Sequence, residues 1–280
     1  MIPAAFEYTR PASLSDAVAA VGGGAKVIAG GQSLLPLLKL RLAAVDKLVD
    51  IGRLSELRGY RPQPDGGLEI GALTTYADWQ AATVMPSVAE AIDLIADVQV
   101  RNRGTIGGAI AHADPGSDAP AICLVFDGQA VLRGPGGERV VPLDDFFEGP
   151  FQTAIRPDEI LVAIRRGPVA QGAQFAYRKL AQPASGYAIV GVAALIAKGG
   201  DGRINHARVA LTGVHEHAYR APEVEDTLVG TEGTQDDVRA AAEHATVGVE
   251  VTSDIHADAA YRTAMAKVYT ARAIEAALGR

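Results

Sequence analysis

Two short segments of this chain repeat one local pattern. Ala29-Gly30-Gly31-Gln32-Ser33 and Thr105-Ile106-Gly107-Gly108-Ala109 each set an adjacent glycine pair against an apolar, strand-like stretch and beside a hydroxyl-bearing residue. Without Cβ atoms, a backbone can come close to a ligand and turn successive N–H groups into one concavity. Such a nest attracts an anion, above all a phosphate, through fixed partial charges. Either pair alone reads as a tight turn. Together they point to two nests gripping the two halves of one pyrophosphate, with Ser33 and Thr105 adding hydroxyl donors.

The dinucleotide fold most often built on glycines does not fit. Lys26–Ala29, then glycines, then Asp50 superficially imitate a Rossmann unit, but Gly-x-Gly-x-x-Gly is absent and Pro36 interrupts the following segment. Gly22-Gly23-Gly24 precedes that strand instead of following it.

Periodicity supplies the frame. Ser13 and Asp16 have capping-box spacing ahead of the apolar stripe Leu14, Ala17, Val18 and Val21, which predicts a first helix. Strands are expected at 26–29, 48–51 and 68–72, a helix starting at Thr75 or Asp78, another over 86–95, and one capped by Asp118 through Leu124. The turn Pro135-Gly136-Gly137 joins a hairpin of 129–132 and 139–142, and 160–164 is a further strand. After a compositional break at 167–172 come strands at 175–180, 187–197 and 204–212, then helices over 234–251 and 258–278. Mixed helices and strands followed by an antiparallel sheet with helices make this an α+β chain of two domains, 1–170 and 171–280.

Charge and cysteine content narrow the chemistry. A formal net charge of −7 argues against a nucleic-acid partner. The single cysteine, Cys123, permits no intrachain disulfide and cannot supply the four thiolates of an iron–sulfur cluster. No stretch approaches the roughly 20 apolar residues of a membrane helix. The segment Met1–Phe6 lacks the basic region and apolar core of a signal peptide, so a cytoplasmic protein is expected. His215-Glu216-His217 is too short and isolated for a metal site, and His112 with Asp114 is better suited to shaping the loop after the second glycine pair.

The motifs in order then resemble a known family. Ala29-Gly30-Gly31-Gln32-Ser33-Leu34-Leu35-Pro36 with Lys39-Leu40-Arg41, and Arg101-Asn102-Arg103-Gly104-Thr105-Ile106-Gly107-Gly108 with His112-Ala113-Asp114-Pro115 and Asp118, are similar to the flavoprotein subunits of molybdenum hydroxylases. The medium subunit of the carbon-monoxide-dehydrogenase type matches best, and xanthine dehydrogenases belong to the same family. The likeness runs from Phe6-Glu7-Tyr8 through Phe175-Ala176-Tyr177-Arg178-Lys179 to Tyr261-Arg262.

This resemblance implies a two-lobed FAD-binding fold of the vanillyl-alcohol-oxidase (PCMH) type, with lobes of about 1–55 and 56–170, followed by a C-terminal α+β domain with a small antiparallel sheet. It implies that 29–33 and 105–109 wrap the FAD pyrophosphate, mainly through backbone N–H groups. By the same likeness Asp118 hydrogen-bonds toward the ribityl or adenosine part, Leu161 and Tyr187 lie near the isoalloxazine ring with Ile106 close by, and Lys179 approaches the flavin's electron-rich edge. Many relatives carry Asn or Ser where this chain has Ala109, and some carry His in place of Gln32, so this chain lacks a side-chain donor at 109. No residue of this chain need be an acid, base or nucleophile, and none need bind a metal.

The resemblance also implies partners: a small subunit with [2Fe-2S] clusters, a large subunit with the molybdenum cofactor, assembly as a dimer of heterotrimers, and an external electron acceptor. Two other readings are a self-sufficient FAD oxidoreductase of the same fold and a non-catalytic nucleotide-binding assembly module.

Overall fold

The computed structural model describes residues 2–280. The chain opens with strand β1 (Glu7–Thr9), helix α1 (Leu14–Val21), strand β2 (Lys26–Ile28), helix α2 (Leu34–Lys39) and strand β3 (Lys47–Asp50). The strands form a parallel sheet in the order β1-β3-β2, in register at Tyr8↔Leu48 and Val27↔Val49. The Ser13 hydroxyl accepts from the Asp16 N–H at 3.1 Å and caps α1, whose buried face is Ala17, Val18 and Val21. Gly23 and Gly24 end the helix at positive φ.

The second lobe contains β4 (Tyr60–Pro62), β5 (Leu68–Gly71), α3 (Tyr76–Ala82), α4 (Pro86–Asp93), α5 (Val98–Arg101), α6 (Ile106–His112) and α7 (Asp118–Leu124). It continues with β6 (Gln129–Gly134), β7 (Gly137–Pro142), β8 (Phe147–Gly149), β9 (Gln152–Thr153) and β10 (Ile160–Arg166). Five of these strands make an antiparallel sheet in the order β4-β5-β10-β6-β7. Its two faces are both apolar. Leu161 and Ile164 join the core under α3, α4, α6 and α7, while Ile160, Val162 and Ala163 meet α1 and Val49 of the first lobe. A register shift between Leu161 and Ala163 accounts for the break in strict alternation along β10.

One ion pair fastens the hairpin to this sheet. Glu159, 7% exposed, accepts from both Nε and an Nη of Arg139 at 2.7 Å, and from the Arg156 N–H at 2.9 Å. The Arg139 hydrogen bond, aided by that N–H, holds the Glu159 carboxyl below the usual carboxylate range. Its stabilisation is therefore complete above that range and lost as the pH falls through the lowered value. Glu159→Gln should cost about 2 kcal/mol at neutral pH, with the gap to wild type closing on acidification. Urea unfolding at several pH values checks this, and a gap that widens in acid would contradict it.

The remainder is β11 (Gln174–Ala181), β12 (Ala188–Lys198), β13 (Ile204–Thr212), β14 (Tyr219–Arg220), α8 (Pro222–Leu228), α9 (Gln235–Ala242) and α10 (Ala259–Ala277). The four strands form an antiparallel sheet in sequence order, with Tyr177 opposite Ala193 and Ala193 opposite Ala210. Alternation divides its side chains cleanly. Phe175, Tyr177, Ala193, Leu195 and Ala197 enter the core of the second lobe, whereas Ala176, Val190, Val192, Ala194 and Ile196 pack with Val224, Val238 and Ile274 of the C-terminal helices.

Several expected boundaries move. The helix expected over 234–251 stops at Ala242, and turns follow as far as Gly248 at positive φ. The second glycine pair lies inside α6, where the sequence suggested a nest or a tight turn and not a helix, because Thr105 caps a helix across it. Asp118 is the first residue of α7, whose preceding residue Ser117 makes no side-chain cap, so Asp118 is not the expected N-cap.

Candidate cofactor site

The first glycine segment leaves β2 and turns into α2, and its backbone points donors outward. Among the described residues, nothing accepts from the N–H groups of Gly30, Gly31, Gln32, Ser33 or Leu34. Gly31 has φ +76°, the left-handed conformation glycine adopts without strain. Ser33 precedes α2 without capping it, so its hydroxyl is not spent on the helix. The segment is partly exposed throughout. Five successive unpaired donors beside a free hydroxyl are what an anion-binding nest requires.

The second segment is built differently, with most of its backbone donors engaged within the chain. The N–H of Ile106 donates to the Thr74 carbonyl, Gly107 to the Ala72 carbonyl and Ala109 to the Thr105 carbonyl, at 3.0, 3.0 and 3.1 Å. The Gly108 N–H donates to the Thr105 hydroxyl oxygen at 3.1 Å. Four of the five N–H groups of 105–109 are thus engaged within the chain, and only that of Thr105 has no acceptor among the described residues. Gly107 is needed for a different reason. A Cβ there would lie 2.4 Å from the Ala72 Cβ, so the glycine lets α6 rest on the end of β5. Ile106 is fully buried in the core, and only Gly108 and Ala109 keep partial exposure.

What the second segment does is seat the first. A Cβ on Gly30 would stand 2.1 Å from the Arg103 carbonyl oxygen and 3.1 Å from the Gly104 Cα. The two glycine motifs therefore meet backbone to backbone at the junction of the lobes. Gly104 in turn lies against the Tyr76 ring, where a Cβ would come within 3.1 Å.

A third strand of the chain closes on this junction. Tyr187 comes near the Ser33 side chain, and burial raises the phenol's pKa, with Asp114 and Asp118 adding to the effect. Tyr187 keeps 45% exposure just before β12. The loop after α6 supports its ring: a Cβ on Gly116 would sit 3.3 Å from it. Asp114 shapes that loop by accepting from the Gly116 N–H at 2.9 Å, and the Gly116 carbonyl accepts from the Ala188 N–H at 3.1 Å. His112 lies against Phe151 at 5.1 Å between ring centroids, and burial lowers its pKa. These positions fit the loop-shaping role expected for His112 and Asp114.

Asp118 and Lys179 form a buried pair behind this wall. The Lys179 ammonium donates to the Asp118 carboxylate at 2.9 Å and also to the Leu94 carbonyl, while the Tyr177 hydroxyl donates to the other carboxylate oxygen. Both charged side chains are nearly inaccessible, at 4% for Lys179 and 6% for Asp118. Burial pushes the Asp118 carboxyl upward, and Lys179 and Tyr177 pull against that shift. Leu161 is likewise a core side chain, so what it can present to a ligand is its backbone at the bulge in β10. Tyr177 was not singled out from sequence. Its place in the alternation of β11 is that of an ordinary core aromatic, and only the acid it faces distinguishes it.

Two cavities lie near or beyond these groups. One of about 330 Å³ has Tyr187, Asp114, Gly116 and Arg262 in its wall. The other, of about 230 Å³, is apolar and contains none of the residues singled out for the cofactor. No helix among the described residues is long and apolar enough to cross a membrane, and no cluster of three or more potential metal ligands occurs among them.

The parallel first sheet, the antiparallel second lobe and the C-terminal sheet agree with comparisons across known proteins. Residues 4–165 match the family profile described as the FAD binding domain in molybdopterin dehydrogenase, and 175–277 match the CO dehydrogenase flavoprotein C-terminal domain. The chain belongs to this family of FAD-binding flavoproteins of the molybdenum hydroxylases, with the PCMH-type fold. It is 43% identical to the carbon monoxide dehydrogenase medium chain of Hydrogenophaga pseudoflava, covering 100% of this chain and 99% of that one. The glyceraldehyde dehydrogenase medium chain of Sulfolobus acidocaldarius is 37% identical, over 98% and 99% of the two chains. Among solved structures, carbon monoxide dehydrogenase from Hydrogenophaga pseudoflava superposes with a TM-score of 0.95 at 44% identity, covering 100% of this chain and 99% of that chain.

Proposed function

We propose that this chain holds FAD across the junction of its two N-terminal lobes and passes electrons from iron–sulfur clusters on a small partner subunit to an external acceptor. Substrate oxidation then belongs to a large molybdenum-bearing partner, in a cytoplasmic dimer of heterotrimers. The division into domains 1–170 and 171–280 belongs to this proposal. The observation that carries it is the run of five unpaired N–H donors at 30–34, set against the Arg103-Gly104 backbone and faced by Tyr187.

The residues divide by task. The N–H groups of 30–34 and the Ser33 hydroxyl hold the pyrophosphate. Thr105 to Ala109 shape that nest from below, with Gly108 and Ala109 at its edge and Ile106 in the core supporting it. Tyr187 covers the flavin, and Leu161 offers its backbone at the bulge. Asp118 and Lys179 fix the position of β11 against α7 rather than touching the ring. FAD supplies the change between one- and two-electron transfer, while the protein sets its position and solvent access.

Titration of the purified chain with FAD and FMN tests the assignment. FAD should bind at about one per chain and FMN at least about tenfold more weakly, since FMN lacks the second phosphate and its charge-assisted hydrogen bonds. Tyr187→Ala should retain FAD but shift the visible flavin spectrum. Equal affinities for FAD and FMN would defeat the pyrophosphate assignment, and an unchanged spectrum would remove Tyr187 from the ring.

A further inference from the structure

The cavity of about 230 Å³ lies away from the glycine motifs, between the β4–β5 edge of the second sheet and helices α3 and α4. Its walls are apolar: Leu68, Ile70, Trp79, Val88, Phe126 and Ile164. Among the polar residues of that lining, Tyr60 and Arg166 keep hydrogen-bonding capacity that the fold does not use. The Tyr60 hydroxyl is buried and has no hydrogen-bond partner. Burial raises its pKa, with the charge of Asp78 adding to the effect, so the phenol remains a proton donor.

The second group is Arg166. Its neighbour on β10, Arg165, points to the opposite face of the strand and pairs with Glu69 at 2.6 Å and Glu138 at 3.6 Å. Arg166 makes no ion pair among the described residues. It donates once, to the Gly167 carbonyl at 2.9 Å, and stacks over the Phe126 ring at 5.8 Å; the half-buried guanidinium makes no other hydrogen bond among the described residues. Burial with no acid nearby lowers its pKa. Cys123, also in the wall, is pushed up to about 12 by burial and stays a neutral thiol. Asp78 lies near Tyr60 but is not part of the lining; its carboxylate accepts from the Thr75 N–H at 3.4 Å.

A buried phenol without an acceptor is costly in an apolar pocket unless something answers it, and the half-buried Arg166 guanidinium in the same wall has no acid partner to neutralise it. We propose that this cavity is a binding site for a small apolar carboxylate, whose carboxyl group meets Arg166 and Tyr60 and whose body fills the space beside Trp79 and Phe126. The site is separate from the cofactor junction and does not depend on it. An aromatic acid suits its chemistry, because Arg166 supplies a charge-assisted fork and the walls supply apolar contact.

Trp79 is the only tryptophan of the chain and lines the cavity, so its emission reports occupancy directly. Benzoate, titrated into the full chain with toluene as its neutral counterpart, should change Trp79 emission saturably. Arg166→Gln should weaken benzoate about tenfold while leaving toluene unaffected. Tyr60→Phe, which removes an unpartnered oxygen and so preserves the fold, should weaken benzoate severalfold. FAD binding should be unchanged in both variants. The proposal is overturned if benzoate gives no saturable signal, or if it binds both variants as tightly as wild type. Should Arg166→Gln fail to fold, the Tyr60→Phe comparison and the wild-type preference for benzoate over toluene decide the matter.

Discussion

Gly30→Val is expected to destabilise the chain by about 3 kcal/mol and to abolish FAD binding. The reason is contact, not backbone conformation. Gly30 does not have positive φ, but any Cβ there meets the Arg103 carbonyl at 2.1 Å, and a backbone atom cannot swing aside as a side-chain tip does. Urea unfolding and FAD titration give the two readouts. Gly31→Ala provides the contrast. It places a Cβ at φ +76° and 2.9 Å from the flexible Leu35 side chain, so it should cost about 1 kcal/mol while still weakening FAD. If Gly30→Val unfolds with the wild-type midpoint, the lobes do not depend on this contact.

Asp118→Ala should be the most damaging substitution outside the glycines, at about 3–5 kcal/mol. It would strand the Lys179 ammonium, 4% exposed, with only the Leu94 carbonyl as partner. Pairing Asp118→Leu with Lys179→Met should recover most of that loss, because the penalty comes from an uncompensated buried charge. Urea midpoints for the single and double variants separate these cases. A double variant no more stable than Asp118→Ala would mean that the pair itself, not the orphaned cation, carries the stability.

The sequence was most legible where local chemistry decides structure. Ser13 and Asp16 mark the start of α1, Thr75 caps α3, and the Pro135-Gly136-Gly137 turn joins β6 to β7. Long-range pairing was less visible: nothing in Glu7–Thr9 or Tyr60–Pro62 signals a strand until its partner is known. The two glycine motifs show the same divide. Their likeness in sequence suggested likeness of task, yet one keeps its N–H groups free while the other surrenders them to Ala72, Thr74 and Thr105. A nest and a helix start are written with the same residues, and only the neighbouring carbonyls distinguish them. The pairing of Lys179 with Asp118 was equally hidden, since the two lie 61 positions apart.

The double-sided sheet of β11 to β14 bears on how the chain can be divided. Phe175, Tyr177 and Leu195 belong to the interior beneath α4 and α7, although they follow the break at 167–172. Cutting there would strip one wall from the N-terminal portion and leave an oily, unpaired surface on the other. The break marks a change of topology more than a line of cleavage, and the two halves are better regarded as cofolding than as modules that happen to be joined.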